Sequence, residues 1–117
     1  MILSVRYTVE EYLAGLKTRT SRPYWTPNTM RKWQKAWDEG RHVHQAWSAS
    51  PFRKKGARRL PDFRLTCRPY WGSVAEMTDD DLKAEGGRWL TREEFAEALE
   101  APLSWEMPML RFERVEE

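Results

Sequence analysis

Signals for the start and end of helices divide this chain into short segments, and they constrain its fold more than any other feature of its sequence. Thr8-Val9-Glu10-Glu11 and Thr91-Arg92-Glu93-Glu94 have the pattern of a capping box, in which the threonine hydroxyl and the last glutamate bind free backbone amides at a helix start. None of the apolar runs approaches the ~20 residues of a membrane span. A chain of 117 residues that is divided into short elements by such signals is predicted to form one α+β domain, covering residues 1–117.

The predicted elements follow the order β-α-α-β-β-α-α-β. They are expected as a strand at 2–5, helices at 9–14 and 28–40, strands at 41–47 and 60–70, helices at 79–85 and 92–101, and a strand at 109–115. Asn28 is the expected cap of the second helix, and Pro61 and Pro69 are expected to mark the ends of the long strand. The strands are few and largely sequential, and such a sheet tends to curl into a small barrel.

Apolar residues at helical spacing give the second helix one hydrophobic face, formed by Met30, Trp33 and Trp37. That face is expected to pack on the sheet, although two tryptophans can also stack on nucleic acid or contact a partner protein. Cys67 cannot form an internal disulfide and is expected to be a buried packing residue. With no signal-peptide core at its start, the chain is expected in the cytoplasm.

Basic and acidic residues are segregated along the chain. Residues 41–72 contain 8 basic and 1 acidic residues, a net charge of +7, whereas residues 73–117 contain 5 basic and 13 acidic residues, a net charge of −8. The basic third can offer a positive surface to phosphates, or it can face the acidic third within the molecule. No metal site is expected, because His42 and His44 share a strand face without a cluster of cysteines or carboxylates beside them.

The segment Gly15-Leu16-Lys17-Thr18-Arg19-Thr20-Ser21-Arg22 combines residue types suited to hydrolysis with a distant Glu85. A lysine can accept a proton, a threonine can attack and a glutamate can orient either group. Residues three apart point to opposite faces of a straight strand, so Lys17 and Thr20 converge only where the chain bends. Gly15 permits such a bend. The alternative is that both are ordinary polar residues of a strand.

The order of these motifs resembles that of an ASCH domain, a small member of the PUA-like superfamily. The N-terminal mark is the segment 15–22. The C-terminal marks are Met77-Thr78-Asp79, Glu85-Gly86, Thr91-Arg92-Glu93-Glu94-Phe95 and Arg111-Phe112-Glu113. The resemblance covers nearly the whole chain and implies a small pseudo-β-barrel with flanking helices and a cleft suited to a nucleobase or RNA. The chain departs from the smallest family members in an additional Trp-bearing segment at 23–40 and a basic loop at 53–55.

One branch of the ASCH family consists of amidohydrolases that remove the acyl group from N4-acetylcytidine and related N4-acylcytidines. Their working residues correspond here to Lys17 as base, Thr20 as nucleophile and Glu85 as stabilising group, and the resemblance implies neither cofactor nor metal. Other family members are RNA-binding modules or single-strand ribonucleases, which is the alternative function. In that case the basic segment 53–59 is the expected contact with single-stranded RNA.

A cytosine ring needs an aromatic face to stack on and polar groups for its edge. Trp25, Trp71 and Tyr70 are the candidate stacking residues, and Arg22, Arg64 and Arg68 are the candidate contacts to a carbonyl or phosphate. The alternative is that the aromatic rings belong to the core or its rim and that Arg64 and Arg68 belong to a solvated face. The expected partner is a small nucleoside, with no membrane contact and no reading of DNA sequence.

Overall fold

A computed structural model describes residues 1–52 and 55–116. Its elements in chain order are β1 (Ile2–Ser4), α1 (Val9–Leu13), β2 (Arg19–Ser21), α2 (Pro27–Asp38), β3 (Val43–Trp47), β4 (Arg59–Leu65), β5 (Tyr70–Gly72), a 3-10 turn (Val74–Glu76), α3 (Asp79–Ala84), α4 (Arg92–Leu99) and β6 (Met107–Arg114). The fold is mixed α+β, and its one curled sheet forms a half-barrel. Within the described ranges, none of the helices is long and apolar enough to cross a membrane.

The sheet order is β1-β3-β4-β6-β2, and β5 also pairs with β6. In the part of the chain that the structure describes, β1 pairs with β3 in parallel, and the pairs β3–β4, β4–β6, β2–β6 and β5–β6 are antiparallel. β1 and β2 are therefore the two ends of the curled sheet. The Arg22 side chain joins them, since its Nη2 donates to the carbonyl oxygen of Ser4 at 2.6 Å.

Strand β6 separates two hydrophobic clusters. Its side chains alternate between the faces of the sheet, so that Leu110 and Phe112 belong to one cluster whereas Met107 and Met109 belong to the other. The first, here called the main core, is formed by Leu3, Val5, Tyr12, Trp33, Ala46, Leu60, Phe63, Leu65, Leu110 and Phe112. The second is formed by Val74, Met77, Leu82, Phe95, Ala96, Ala101, Met107 and Met109.

Helix α2 packs its apolar face on the sheet, as expected from the spacing. Trp33 is buried and stacks on Trp25, with ring centroids 5.2 Å apart, and on Phe63 at 6.3 Å. The predicted cap at Asn28 is wrong. Thr26 is the cap, because its hydroxyl accepts from the Thr29 amide at 3.1 Å, and Pro27 then occupies the first helical position, where a missing N–H costs nothing.

The other helices begin in different ways. Thr78 and Asp81 form a reciprocal capping box at the start of α3. Thr91 caps α4 through its hydroxyl, but the Glu94 carboxylate accepts from Leu90 rather than returning to Thr91. The box predicted at Thr8 is wrong, because its hydroxyl makes no cap bond. Helix α1 has five residues.

The single strand predicted at 60–70 is also wrong. β4 ends at Leu65, and β5 begins at Tyr70 as a separate strand, because Pro69 cannot donate to a ladder. Cys67 lies between the two strands and is only partly buried, which corrects its assignment to the core. Strand β2 and the 3-10 turn were not among the predicted elements, although a strand through Thr20 was the alternative considered for the segment 15–22.

Candidate functional site

Lys17 and Glu85 meet in the interior at the junction of α1, β2 and α3. The amides of Leu16 and Lys17 both donate to the carbonyl of Glu11, and the Thr18 amide donates to Ala84 at the end of α3. These bonds follow Gly15, whose φ of 77° turns the chain. As a result, Lys17 Nζ lies 2.9 Å from the Glu85 carbonyl oxygen and 3.6 Å from its Oε1.

The Glu85 carboxylate has two further donors that sequence reasoning missed. Arg19 Nε donates to Oε2 at 3.2 Å, and Ser21 Oγ donates to the same oxygen at 2.8 Å. Both residues are on β2 and, being two apart, share a face. Polar residues at 17, 19 and 21 of an extended segment were the signal that could have identified this face.

Asp81 extends the network by one helical turn. It lies four residues before Glu85, so the two carboxylates are neighbours on α3. Its Oδ1 lies 3.1 Å from Arg19 Nη1 and accepts from Arg111 Nη2 at 2.7 Å. Arg111 Nε in turn donates to the Tyr70 hydroxyl at 3.1 Å. A chain of ion pairs thus connects Lys17 with the partly exposed Arg111.

Thr20 is buried, with 4% of its surface exposed. It pairs with Leu110 of the main core, and strand alternation places it opposite Arg19 and Ser21. Within residues 1–52 and 55–116, none of the side-chain hydrogen bonds and ion pairs of Lys17 or Glu85 involves Thr20. The structure therefore brings Lys17 and Glu85 into contact, with Thr20 on the other face of β2.

Burial lowers the pKa of Lys17 from 10.5 to about 8. The negative charge of Glu85 acts in the opposite direction and raises this pKa, whereas the positive charge of Arg22 lowers it further. A lysine with this pKa is neutral in roughly one molecule in ten at pH 7, compared with roughly one in 2,500 for an ordinary lysine. Lys17 can therefore act as a base near neutral pH.

Arg22 is the predicted substrate contact whose charge acts on Lys17, where it lowers the pKa. Its side chain reaches Ser4, and its Nε is buried without a hydrogen-bond acceptor in the described part of the chain. Its backbone amide donates to Pro108, and Trp71 pairs with the same Pro108 from β5. Trp71 is 45% exposed.

The other predicted substrate contacts lie elsewhere. Trp25 packs against Trp33 and the main core, Arg64 is exposed on β4, and Arg68 forms a surface ion pair with Asp38 at 3.0 Å. Within the basic segment 53–59, Arg53 and Lys54 lie outside the described residues.

Two surface cavities open away from Lys17 and Glu85. One, of about 420 Å³, is lined by Arg6, Val9, Glu10, Ser48, Ala49, Gly56, Ala57 and Arg58. The other, of about 540 Å³, lies between residues 59–62 and 114–116. Since Lys17 and Glu85 are only 5% and 2% exposed, a ligand reaches them only after a local movement of the chain.

The two histidines pack on aromatic rings. His42 stacks on Trp37 at 3.9 Å, and His44 is buried against Trp33 and Phe63. Burial is the main cause that lowers the pKa of His44 to about 4, so it is neutral at pH 7. Among the residues that the structure describes, no group of three or more His, Cys, Asp or Glu side chains is placed to hold a metal ion.

Comparison with protein-family models, with curated proteins and with solved structures finds no match to the chain. Function is therefore inferred from side-chain geometry and from the motifs of the sequence.

Proposed function

We propose that the protein is a metal-independent amidohydrolase that removes the acyl group from N4-acetylcytidine or a related N4-acylated cytosine nucleoside. The observation that carries the proposal is the buried Lys17 amine, held on Glu85 and with a pKa lowered to about 8. The motif order of an ASCH domain supplies the substrate class. The curled half-barrel with flanking helices is compatible with a PUA-like fold.

Because Thr20 lies on the face of β2 opposite the ionic network, the proposed reaction includes a local movement that admits the substrate and brings the threonine hydroxyl to Lys17. Thr20 Oγ1 then attacks the acyl carbonyl carbon while neutral Lys17 accepts the hydroxyl proton. The tetrahedral intermediate collapses, the bond between the carbonyl carbon and N4 breaks, and the Lys17 ammonium protonates the leaving nitrogen. Water then attacks the acyl-threonine ester, again with Lys17 as base. Cytidine and the carboxylic acid are the products, and the threonine hydroxyl is restored.

Glu85 positions Lys17 in this scheme. Its backbone carbonyl accepts a hydrogen bond from Nζ at 2.9 Å, and a neutral amine can still donate such a bond. The lone pair of the neutral amine is thereby directed away from the Glu85 carbonyl. The carboxylate lies farther away, at 3.6 Å, where it stabilises the ammonium formed after proton transfer.

Ser21 is a competing nucleophile, because its hydroxyl already donates to the Glu85 carboxylate at 2.8 Å. Thr20 has the position that the motif favours, but Ser21 has the closer contact with the network. The two hydroxyls lie on opposite faces of β2, so replacing each one separately shows which of them is the nucleophile.

The direct test is incubation of the protein with N4-acetylcytidine, followed by the ultraviolet shift that accompanies loss of the amide and by quantification of released acetate. We expect both signals in equal amounts. Cytidine derivatives with longer N4-acyl groups should be tested in parallel. Absence of turnover on all of them would exclude the proposed activity.

The pH dependence of kcat/KM should follow the ionisation of the Lys17 amine. Because only the neutral form of Lys17 accepts a proton, kcat/KM is expected to rise with pH and to level off above about 8. The measurement is kcat/KM for N4-acetylcytidine between pH 6 and 9.5, with circular dichroism confirming that the fold persists. A rate independent of pH throughout this interval would contradict the role of Lys17 as base.

A second candidate function, an RNA-binding ASCH module with or without single-strand ribonuclease activity, is favoured by the basic surface. Lys55, Arg58 and Arg59 are exposed, and Arg58 lines a cavity together with Arg6 and Ser48. Phosphate contacts predict an affinity for single-stranded RNA that falls steeply as salt increases. Affinity that is equal at low and physiological salt would argue against this function.

A further inference from the structure

Arg19 lies at the centre of the buried ionic network, and each of its three guanidinium nitrogens has a partner. Nε donates to Glu85 Oε2 at 3.2 Å, Nη1 lies 3.1 Å from Asp81 Oδ1, and Nη2 contacts the Met109 sulfur. The side chain is buried, with 2% of its surface exposed. Because the guanidinium is planar and its donors have fixed directions, its contact with Asp81 limits how it can face Glu85.

The two oxygens of the Glu85 carboxylate have different partners. Oε2 accepts from Arg19 at 3.2 Å and from the Ser21 hydroxyl at 2.8 Å. Oε1 lies 3.6 Å from Lys17 Nζ, which also donates at 2.9 Å to the Glu85 backbone carbonyl. Arg19 therefore occupies one carboxylate oxygen and leaves the other to the amine. A guanidinium that faces a carboxylate with two nitrogens takes both oxygens, which is a common geometry of such pairs.

Asp81 opposes that two-oxygen contact, because Arg19 must turn to reach it and Asp81 holds Nη1 in place. The Asp81 carboxylate is itself fixed at the start of α3, where its Oδ2 accepts from the Thr78 amide at 3.0 Å. Its Oδ1 is shared, at 3.1 Å from Arg19 and 2.7 Å from Arg111. Partial burial raises the pKa of Asp81, but the Thr78 amide and the two arginines lower it more, so this carboxylate is charged at neutral pH.

The charges that face Lys17 come from three parts of the fold. Burial lowers its pKa most, and Arg22 after β2 lowers it further, whereas Glu85 on α3 and Glu11 on α1 raise it. In the described part of the chain, Glu85 is the one charged residue whose side chain contacts Nζ. The way in which Arg19 occupies the Glu85 carboxylate therefore acts directly on the amine.

We propose that Asp81 is a positioning residue of the candidate site, which holds Arg19 on one oxygen of Glu85 and so leaves the other oxygen to Lys17. None of the hydrogen bonds and ion pairs of Asp81 among the described residues involves Lys17, so Asp81 acts through Arg19. Arg111, whose side chain is 39% exposed, shares Oδ1 and weakens the hold on Arg19. This deepens the proposed function and rests on it only for the role of Lys17 as base.

The test is the pKa of Lys17 in Asp81→Asn, measured by NMR from the chemical shift of the lysine Cε between pH 6 and 10. Asparagine keeps the shape of the side chain but removes the charge that anchors Arg19. Arg19 is then expected to contact both Glu85 oxygens, so the pKa of Lys17 should fall by about 1, a tenfold change in its ionisation equilibrium. Asp80→Asn is the matched control, because it removes the same charge from an exposed position of α3 and should leave this pKa unchanged.

Arg111→Gln provides a second variant if Asp81→Asn fails to fold, because Arg111 is partly exposed. Its removal leaves Asp81 Oδ1 to Arg19 alone, and the stronger hold on Arg19 should weaken its bond to Glu85. Loss of a positive charge acts in the same direction. The pKa of Lys17 should therefore rise in this variant, opposite to the change in Asp81→Asn.

The two variants and the control can each overturn the proposal. An unchanged pKa of Lys17 in Asp81→Asn would do so, as would a fall of equal size in Asp80→Asn or an unchanged or lower pKa in Arg111→Gln. The measurement needs no substrate. A pKa that responds as expected without hydrolysis of N4-acetylcytidine would contradict the proposed activity alone, and hydrolysis with an unresponsive pKa would contradict the role of Asp81 alone.

Discussion

Replacement of Lys17 by methionine is expected to lower kcat/KM for N4-acetylcytidine by about 10²–10⁴-fold, the usual contribution of a general base. Methionine retains an unbranched apolar side chain but cannot accept the hydroxyl proton. Arg19 and Ser21 still contact the Glu85 carboxylate in this variant, so the fold should persist. The measurement is initial rate against substrate concentration, at a pH near 8 where wild-type Lys17 is half neutral.

Lys83→Met is the matched control, because Lys83 is exposed on α3 and the same charge is removed outside the network. Its rate should equal that of wild type. Thr20→Val and Ser21→Ala complete the series by removing one hydroxyl each. If Ser21→Ala loses all activity and Thr20→Val remains active, the nucleophile is Ser21 and not Thr20. Retention of more than a tenth of wild-type activity in Lys17→Met would refute the assigned base.

Replacement of Glu85 by glutamine is expected to destabilise the protein by about 3–5 kcal/mol, the typical cost of removing one partner of a buried ion pair. Glu85 is 2% exposed and faces Lys17, Arg19 and Ser21. Glutamine preserves the shape but leaves Lys17 without its counterion. The measurement is the free energy of unfolding from urea titration at pH 7, which is independent of any catalytic activity.

Glu97→Gln is the corresponding control on the exposed side of α4 and should change stability by less than about 0.5 kcal/mol. A double variant, Lys17→Met with Glu85→Gln, should lose less stability than the sum of the two single variants, because Lys17→Met removes the ammonium that Glu85→Gln alone leaves without its counterion. An unchanged free energy of unfolding in Glu85→Gln would mean that the buried network does not stabilise the fold.

Hydrophobic spacing was sufficient for the elements that bury apolar residues. The predicted face of α2 is found in the structure, because Met30 and Trp33 lie in the interior. The closing strand predicted at 109–115 is found as β6 (Met107–Arg114), with Leu110 and Phe112 buried. Strand β2 could not be found in this way. Its three residues, Arg19–Ser21, are all polar and all buried, and they are stabilised by partners on α3 and β6 rather than by apolar contacts.

The residues of the candidate site could also be predicted only in part from the sequence. The motif identified Lys17 and Glu85, which are in contact. Arg19 and Asp81 were missed, although each is related to a predicted residue by simple spacing, two along a strand or four along a helix. The sequence does not show that β2 contacts α3, which lies more than sixty residues later in the chain. Without that contact, these two spacings do not identify site residues.

The alternation of β6 ties its register to the ion pairs. Leu110 faces the main core, whereas its neighbour Arg111 faces Asp81. A slip of β6 by one residue would turn a guanidinium into the apolar interior and withdraw it from its carboxylate at the same time. Misaligned pairing of β6 therefore costs free energy twice, once for the buried charge and once for the lost ion pair. The polar network thus disfavours a shifted register as much as the hydrophobic residues do.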